Sequence, residues 1–229
     1  MQKIPVFFTF DANYLLAAKV AIHSMMKHAS RQYWYELYVF HTTLSPKAQQ
    51  SLRNSLKEFT HTELHFIDVT QYNEKIKNFG TKAHYSKEIF YKLIATDVLP
   101  QYDRIICSDV DVVFTGDFSP VFFMFPNEKF YYAGVGPVES RMPYYRKDFS
   151  TTEMEILEHE IAAGFLLINL KELRNDHKQE EIINFYVNNY PRLRLPEQDC
   201  IILTCWPYIK YLPIDYSLPI SFYRLNMNQ

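Results

Sequence analysis

Two carboxylates one residue apart, Asp109 and Asp111, end the apolar run Arg104-Ile105-Ile106-Cys107-Ser108, and Val112-Val113-Phe114 follow them. An apolar run of this kind reads as a buried strand. Acids at its end are costly to desolvate unless a cation meets them. A metal ion, an Arg or Lys partner, or open solvent would each satisfy them. Residues i and i+2 of an extended chain point to the same side, so the pair can share one divalent cation through hard oxygen ligands. Such a cation can bridge to a diphosphate and neutralise it as it leaves. Alone, Asp-x-Asp is a weak signal, and a pair of solvated strand-end acids is the plain alternative.

Three further groups carry chemistry. Asp11-Ala12-Asn13-Tyr14 offers a ring face for stacking and polar groups for a base edge or a ribose. It is also an ordinary loop composition. Lys92 lies in a helical segment that feeds the acidic strand, where a solvated helix charge is the default. Glu197-Gln198-Asp199 follows Pro196 at a helix start, and exposed N–H groups favour acids there. Gln198 has less structural reason to occupy that position.

The elements that must position these groups alternate. Ile4 to Phe10 reads as a first strand. Leu15 to Lys27 reads as a helix with Ala17, Val20, Ala21 and Ser24 on one small-residue face. Glu36 to His41 is a second strand. Ser45-Pro46 starts a helix that runs to about Phe59, Ser as N-cap and Pro at the first helical position. Glu63 to Ile67 is a third strand. Ser86 caps a helix ending at Pro100, which leads into the acidic strand. This order signals an α/β fold with a mostly parallel sheet, in which ligands bind at the carboxyl ends of strands. The second half is less regular. Strands are expected at Tyr131 to Val135, Ala163 to Leu170 and Tyr208 to Leu212, and helices at Glu180 to Asn189 and from Pro196 to about Cys205. Gly136 to His159 reads as loop-rich. No repeat or linker divides the chain.

Composition narrows the classes. The 229 residues allow one sizeable domain. A formal net charge of -2 gives no reason to expect nucleic acid as a partner. The 18 Tyr and 18 Phe are enough both to fill a core and to leave rings for a base or sugar site. Cys107, Cys200 and Cys205 match no common zinc spacing, and a reduced, cytosolic setting follows most simply. Residues Met1 to Thr9 lack the pattern of a secretory signal. No apolar stretch approaches the roughly 20 residues needed to span a bilayer. Peripheral contact with a membrane surface is compatible with all of this.

Taken in order, Phe8-Thr9-Phe10-Asp11-Ala12-Asn13-Tyr14, Phe90-Tyr91-Lys92-Leu93, Ser108-Asp109-Val110-Asp111-Val112-Val113-Phe114-Thr115-Gly116-Asp117-Phe118, Ala162-Ala163-Gly164-Phe165-Leu166-Leu167-Ile168-Asn169-Leu170 and Glu197-Gln198-Asp199 resemble the family 8 glycosyltransferases. The resemblance implies a single GT-A, Rossmann-like domain over residues 1–229, with helices on both faces of the sheet. It implies retaining transfer of a hexose, glucose or galactose, from a UDP-sugar to a glycan acceptor, with Mn²⁺ or Mg²⁺. By this likeness Asp11, Asn13 and Tyr14 hold the uridine. Asp109 and Asp111 bind the metal, Asp109 also meets the ribose, and Val110 joins the donor-binding set. Lys92 faces the donor sugar or diphosphate. Ala163 and Gly164 present backbone near the sugar, Glu197 bonds its hydroxyls, and Gln198 lies beside the anomeric carbon. The likeness places the enzyme in surface-glycan synthesis, such as that of lipopolysaccharide, in the cytoplasm at the inner face of the membrane. The Gly136 to His159 stretch is the expected acceptor side.

Three departures stand out. Ala162 occupies a position where the family commonly has Asn. Lys92 replaces an Arg and loses its planar fork. The metal-binding His of the family's His-x-x-Gly-x-x-Lys-Pro-Trp segment has no counterpart in this sequence. Either a C-terminal segment is missing from the domain or water completes the metal shell, and donor binding is expected to be weaker. Two rivals remain. A haloacid-dehalogenase-type phosphatase shares Asp-x-Asp, but there the motif ends the first strand. A UDP-sugar-binding pseudoenzyme or assembly partner would account for Ala162 and the absent His.

Overall fold

The computed structural model describes residues 1–76, 87–137 and 147–218. Ser86, His84 and much of the Gly136 to His159 stretch therefore lie outside or only partly inside the described residues.

Among the described residues seven strands form one sheet: β1 Gln2–Thr9, β2 Tyr33–His41, β3 Thr62–Asp68, β4 Ile105–Ser108, β5 Tyr132–Val135, β6 Phe165–Ile168 and β7 Ile209–Leu212. Their order is β3-β2-β1-β4-β6-β5-β7. Only β6 runs against the rest. It pairs antiparallel with both β4 and β5, while β3-β2-β1-β4 and β5-β7 are parallel. The mostly parallel α/β expectation therefore holds.

The strand sequences show why. All four residues of β4 and of β6 are buried, as are the last six of β1. Unbroken apolar runs like these suit strands covered on both faces. Helix α1, Leu15–His28, and helix α2, Pro46–Ser55, cover one face. There Ala18, Ile22, Met25 and Leu52 pack on Ile4, Val6 and Phe8. On the opposite face Phe7 stacks on Phe40 with ring centroids 4.8 Å apart. That face is closed by helices α3 Asn73–Ile76, α4 Ala95–Val98, α5 Thr151–Leu157, α6 Leu170–Asn175, α7 Lys178–Asn189 and α8 Pro196–Cys205, among other segments. Ser45 caps α2 as its sequence implies, accepting a hydrogen bond from Ala48 N–H.

Several boundaries differ from the sequence expectations, each for a local reason. The acidic strand stops at Ser108, before the carboxylates, which lie on the irregular segment beyond. The Ser86 to Pro100 helix is a 3-10 turn over Lys87–Ile94 followed by α4. The buried stripe of α1 is Ala18, Ala21, Ile22 and Met25, whereas Val20 is 49% exposed. The stretch read as loop-rich contains α5, nucleated by a reciprocal capping box between Ser150 and Glu153.

The strand order places a topological switch between β1 and β4. From β1 the chain steps outward through β2 and β3, then returns to β1's other side. Crevices outside the carboxyl ends of strands at such a point receive ligands. The ends of β1 and β4 deliver Phe10-Asp11 and Asp109 to that crevice.

Candidate active site

A pocket at the switch point is lined by Thr9, Phe10, Tyr14, Glu88, Lys92, Asp109, Val110, Asp111 and Glu197, among others. Asp109 follows β4 directly. Its backbone N–H bonds Gly164 O at 2.8 Å, extending the β4–β6 pairing one step past the strand. A Cβ at Gly164 would sit in ordinary contact with Asp109 Oδ2, at 3.4 Å, which places this residue against the carboxylate.

Lys92 is not a solvated helix charge. It is 2% exposed, and its ammonium reaches Asp109 Oδ1 at 2.6 Å, Glu197 Oε1 at 3.2 Å and Ala163 O at 3.1 Å. An ammonium has three donors, and three acceptors meet it here. Burial works against its charge, but the Asp109 and Glu197 carboxylates outweigh that and hold the Lys92 pKa above its ordinary value. Burial pushes the Asp109 carboxyl up, and Lys92 opposes that shift. Asp111, two residues on, is exposed at the rim. The two acids thus divide: one anchors the buried lysine, the other faces solvent.

The start of α8 supplies three consecutive polar residues with three destinations. Glu197 reaches Lys92 through one oxygen, and its Oε2 is buried without a hydrogen-bond partner among the described residues. Such an acceptor is costly unless a donor arrives. Gln198 accepts from Ala163 N–H at 3.2 Å and donates to Glu160 Oε2 at 3.0 Å. Asp199 is fully buried and accepts from the N–H groups of Arg194 at 2.6 Å and Leu195 at 3.0 Å, so it braces the turn into α8. On the opposite wall, Asp11 caps a 3-10 turn over Ala12–Tyr14 by accepting from Asn13 N–H, and it also accepts from the Asn13 side chain. Asn13 and Tyr14 are exposed.

Among the described residues, Glu88, Asp109, Asp111 and Glu197 put four carboxylates around this pocket against the Lys92 ammonium. A diphosphate entering that surplus of negative charge needs a cation with it. Asp109 and Asp111 are the hard oxygen donors that Mn²⁺ or Mg²⁺ prefers, so the residues fit such an ion. Among the described residues no group of three His, Cys, Asp or Glu is placed to hold one. The remaining positions would fall to water and ligand oxygens. Ala163, Gly164, Lys92, Asp109, Glu197 and Gln198 are joined by direct contacts. Asp11, Asn13 and Tyr14 form a separate wall, with Tyr14 lining the same pocket. Glu88 and Glu160, both buried, carry no motif in the sequence and were not foreseen. Only the proximity of Glu160 to Ala163, three residues on, points to it.

The sheet order and its covering helices match the GT-A fold. The description "Glycosyl transferase family 8" matches residues 5–229, and the chain belongs to that family. Solved structures share the fold. The bifunctional glycosyltransferase WbbM superimposes with a TM-score of 0.77 at 19% identity, over 93% of this chain and 39% of WbbM. The galactosyltransferase LgtC, solved with donor and acceptor sugar analogues, gives 0.71 at 17% over 92% of this chain and 74% of its own. GlyE of Streptococcus pneumoniae TIGR4 gives 0.71 at 18% over 100% of this chain and 50% of its own. The chain thus spans well under half of WbbM and half of GlyE. Among curated proteins none matches this chain.

Proposed function

We propose that this protein is a metal-dependent retaining glycosyltransferase. It moves glucose or galactose from UDP-glucose or UDP-galactose to a glycan acceptor in the synthesis of lipopolysaccharide or another surface glycan. The observation that carries this reading is the buried Lys92 ammonium held between the Asp109 and Glu197 carboxylates, with Asp111 at the rim, set at the β1/β4 switch in a family 8 chain.

Asp11 and Asn13 bond the uridine and Tyr14 stacks on the uracil. Asp109 and Asp111 hold Mn²⁺ or Mg²⁺, which when bound screens the diphosphate's charge. Lys92 keeps Asp109 ionised and oriented, with Val110 behind it. The free Glu197 oxygen accepts from a sugar hydroxyl, and Ala163 and Gly164 border the sugar. The bond from the anomeric carbon to the diphosphate breaks, and the acceptor oxygen bonds the same face of that carbon. The acceptor's proton passes to the leaving phosphate. Gln198, a neutral amide and poor nucleophile, stabilises the positive charge that develops at the sugar. The Gly136 to His159 side receives the acceptor. All three cysteines are free and buried, which suits a reducing cytoplasm. No helix among the described residues is long and apolar enough to cross a membrane. The proposed place of action is the inner membrane face.

Release of UDP from each UDP-hexose, measured with Mn²⁺ and with chelator, tests this. Asp111→Asn is expected to lower Mn²⁺-dependent release by about 100-fold, the scale of losing one preorganised charge-stabilising group, while leaving the fold intact. Wild-type release that ignores the chelator, or that survives Asp111→Asn, would overturn it. The second reading, a UDP-sugar-binding pseudoenzyme, draws on Ala162 and on the lack of a third metal ligand among the described residues. Binding of UDP-hexose without any release would favour it.

A further inference from the structure

Gln198 sits between two partners of opposite kind. Its Nε2 donates to Glu160 Oε2 at 3.0 Å, and its Oε1 accepts from Ala163 N–H at 3.2 Å. An ionised carboxylate only accepts, and a backbone N–H only donates. Reversing the amide would set oxygen against oxygen at Glu160 and N–H against N–H at Ala163, losing both bonds. Glu160 is 2% exposed, so water has little access to replace the lost partner. Both partners come from one short segment, Glu160 to Ala163, which leads into β6. That segment is itself pinned, since Ala162 N–H bonds Val135 O at 2.8 Å, Ala163 O meets Lys92, and Gly164 O meets Asp109 N–H.

We propose that Glu160 is a positioning residue that locks the amide of Gln198 in one orientation, with its carbonyl oxygen toward Ala163 N–H. An amide free to flip would present NH₂ there part of the time. A carbonyl oxygen carries the partial negative charge that suits a developing oxocarbenium ion, and an NH₂ group carries the opposite sign. The small Ala162 beside it leaves Glu160 as the polar side chain of this segment that contacts Gln198. The catalytic consequence rests on the transferase reading, but the lock itself does not.

The test has two arms. Side-chain amide NMR signals of Gln198, identified by their loss in Gln198→Ala, are expected to be well protected from hydrogen exchange in the wild type. They should lose about tenfold or more of that protection in Glu160→Ala. In Glu160→Gln, a conservative change that keeps the volume, the new amide can still accept through its own oxygen, and an intermediate loss is expected. Unprotected signals in the wild type, or undiminished protection in the folded Glu160 variants, would overturn the lock. In kinetics with UDP-hexose and Mn²⁺, Glu160→Ala is expected to lower kcat by about tenfold with donor KM changed less than about twofold. Glu160→Gln should recover part of that loss. A rise in KM at constant kcat would overturn the catalytic consequence. If the wild type turns over no UDP-hexose, the transferase reading fails on its own, and the exchange arm still decides the lock.

Discussion

The two walls of the pocket are built differently. One wall is centred on the buried Lys92 ammonium, held by the half-buried Asp109, by buried Glu197 and by Ala163 O, and Gly164 and Gln198 join this cluster by direct contacts. The other, Asp11 to Tyr14, is a short capped turn whose outer side chains are exposed, Tyr14 by 42%. The buried wall holds its charges in place at the expense of desolvation, which makes it stiff and costly to alter. The exposed wall owes little to the core, so its residues are free to serve ligand contacts. The buried wall is where function and stability cannot be separated by mutation, and the exposed wall is where they can.

The largest effect should come from breaking the buried wall at its centre. Lys92→Met leaves the Asp109 and Glu197 carboxylates without their shared cation. Removing one partner of a buried ion pair costs about 3 kcal/mol or more. A lower urea midpoint at unchanged slope is expected, together with lost UDP release. A variant as stable as wild type would mean that the two walls do not differ in this way. Asp111→Asn sharpens the contrast, since this exposed acid should cost activity and less than about 0.5 kcal/mol of stability. Tyr14→Ala probes the other wall. Base stacking on an aromatic ring is worth about 1–3 kcal/mol, so donor KM should rise by roughly 5- to 150-fold while the thermal midpoint stays put. An unchanged KM would remove Tyr14 from the uridine site.

The smallest effect lies outside the pocket and serves as a control. The hydrogen bond from Arg192 is the main cause that lowers the Glu153 carboxyl to about 2, and Ser150 adds to it. A depressed folded-state pKa stabilises fully above the unfolded value of 4.5 and is lost as pH falls toward 2. The stability gap between wild type and Glu153→Gln should therefore be present at pH 7 and shrink by pH 3. A gap that grows on acidification would contradict the assignment.

What could be read in advance follows from the range of each interaction. The strand of β1, the Ser45-Pro46 start of α2, the Pro196 start of α8 and the Asp109/Asp111 pair are visible in local pattern, and the structure has them. Lys92 looked like a surface charge because its partners are distant in sequence, Glu197 by 105 residues. Glu160 carries no local signal for the same reason, since its bond to Gln198 spans 38 residues. Ser150-x-x-Glu153 is a capping signature for α5, but the mixed charges beyond it hide the apolar stripe in the sequence. Val112 to Phe114 continues the apolar composition after the chain has left the sheet at Ser108, so composition alone extends the strand too far.

The 105-residue reach between Lys92 and Glu197 also sets an order of assembly. Long-range closures are slow, because loop entropy is lost before the contact rewards it. During synthesis Lys92 and Asp109 emerge together and can pair early. Glu197 and Gln198 are synthesised only after β4, β5 and β6. A nascent chain can therefore have four parallel strands while its pocket is still open on one side. The charged floor is among the last features to close, and affinity for a donor should appear abruptly near the end of folding instead of growing with the sheet.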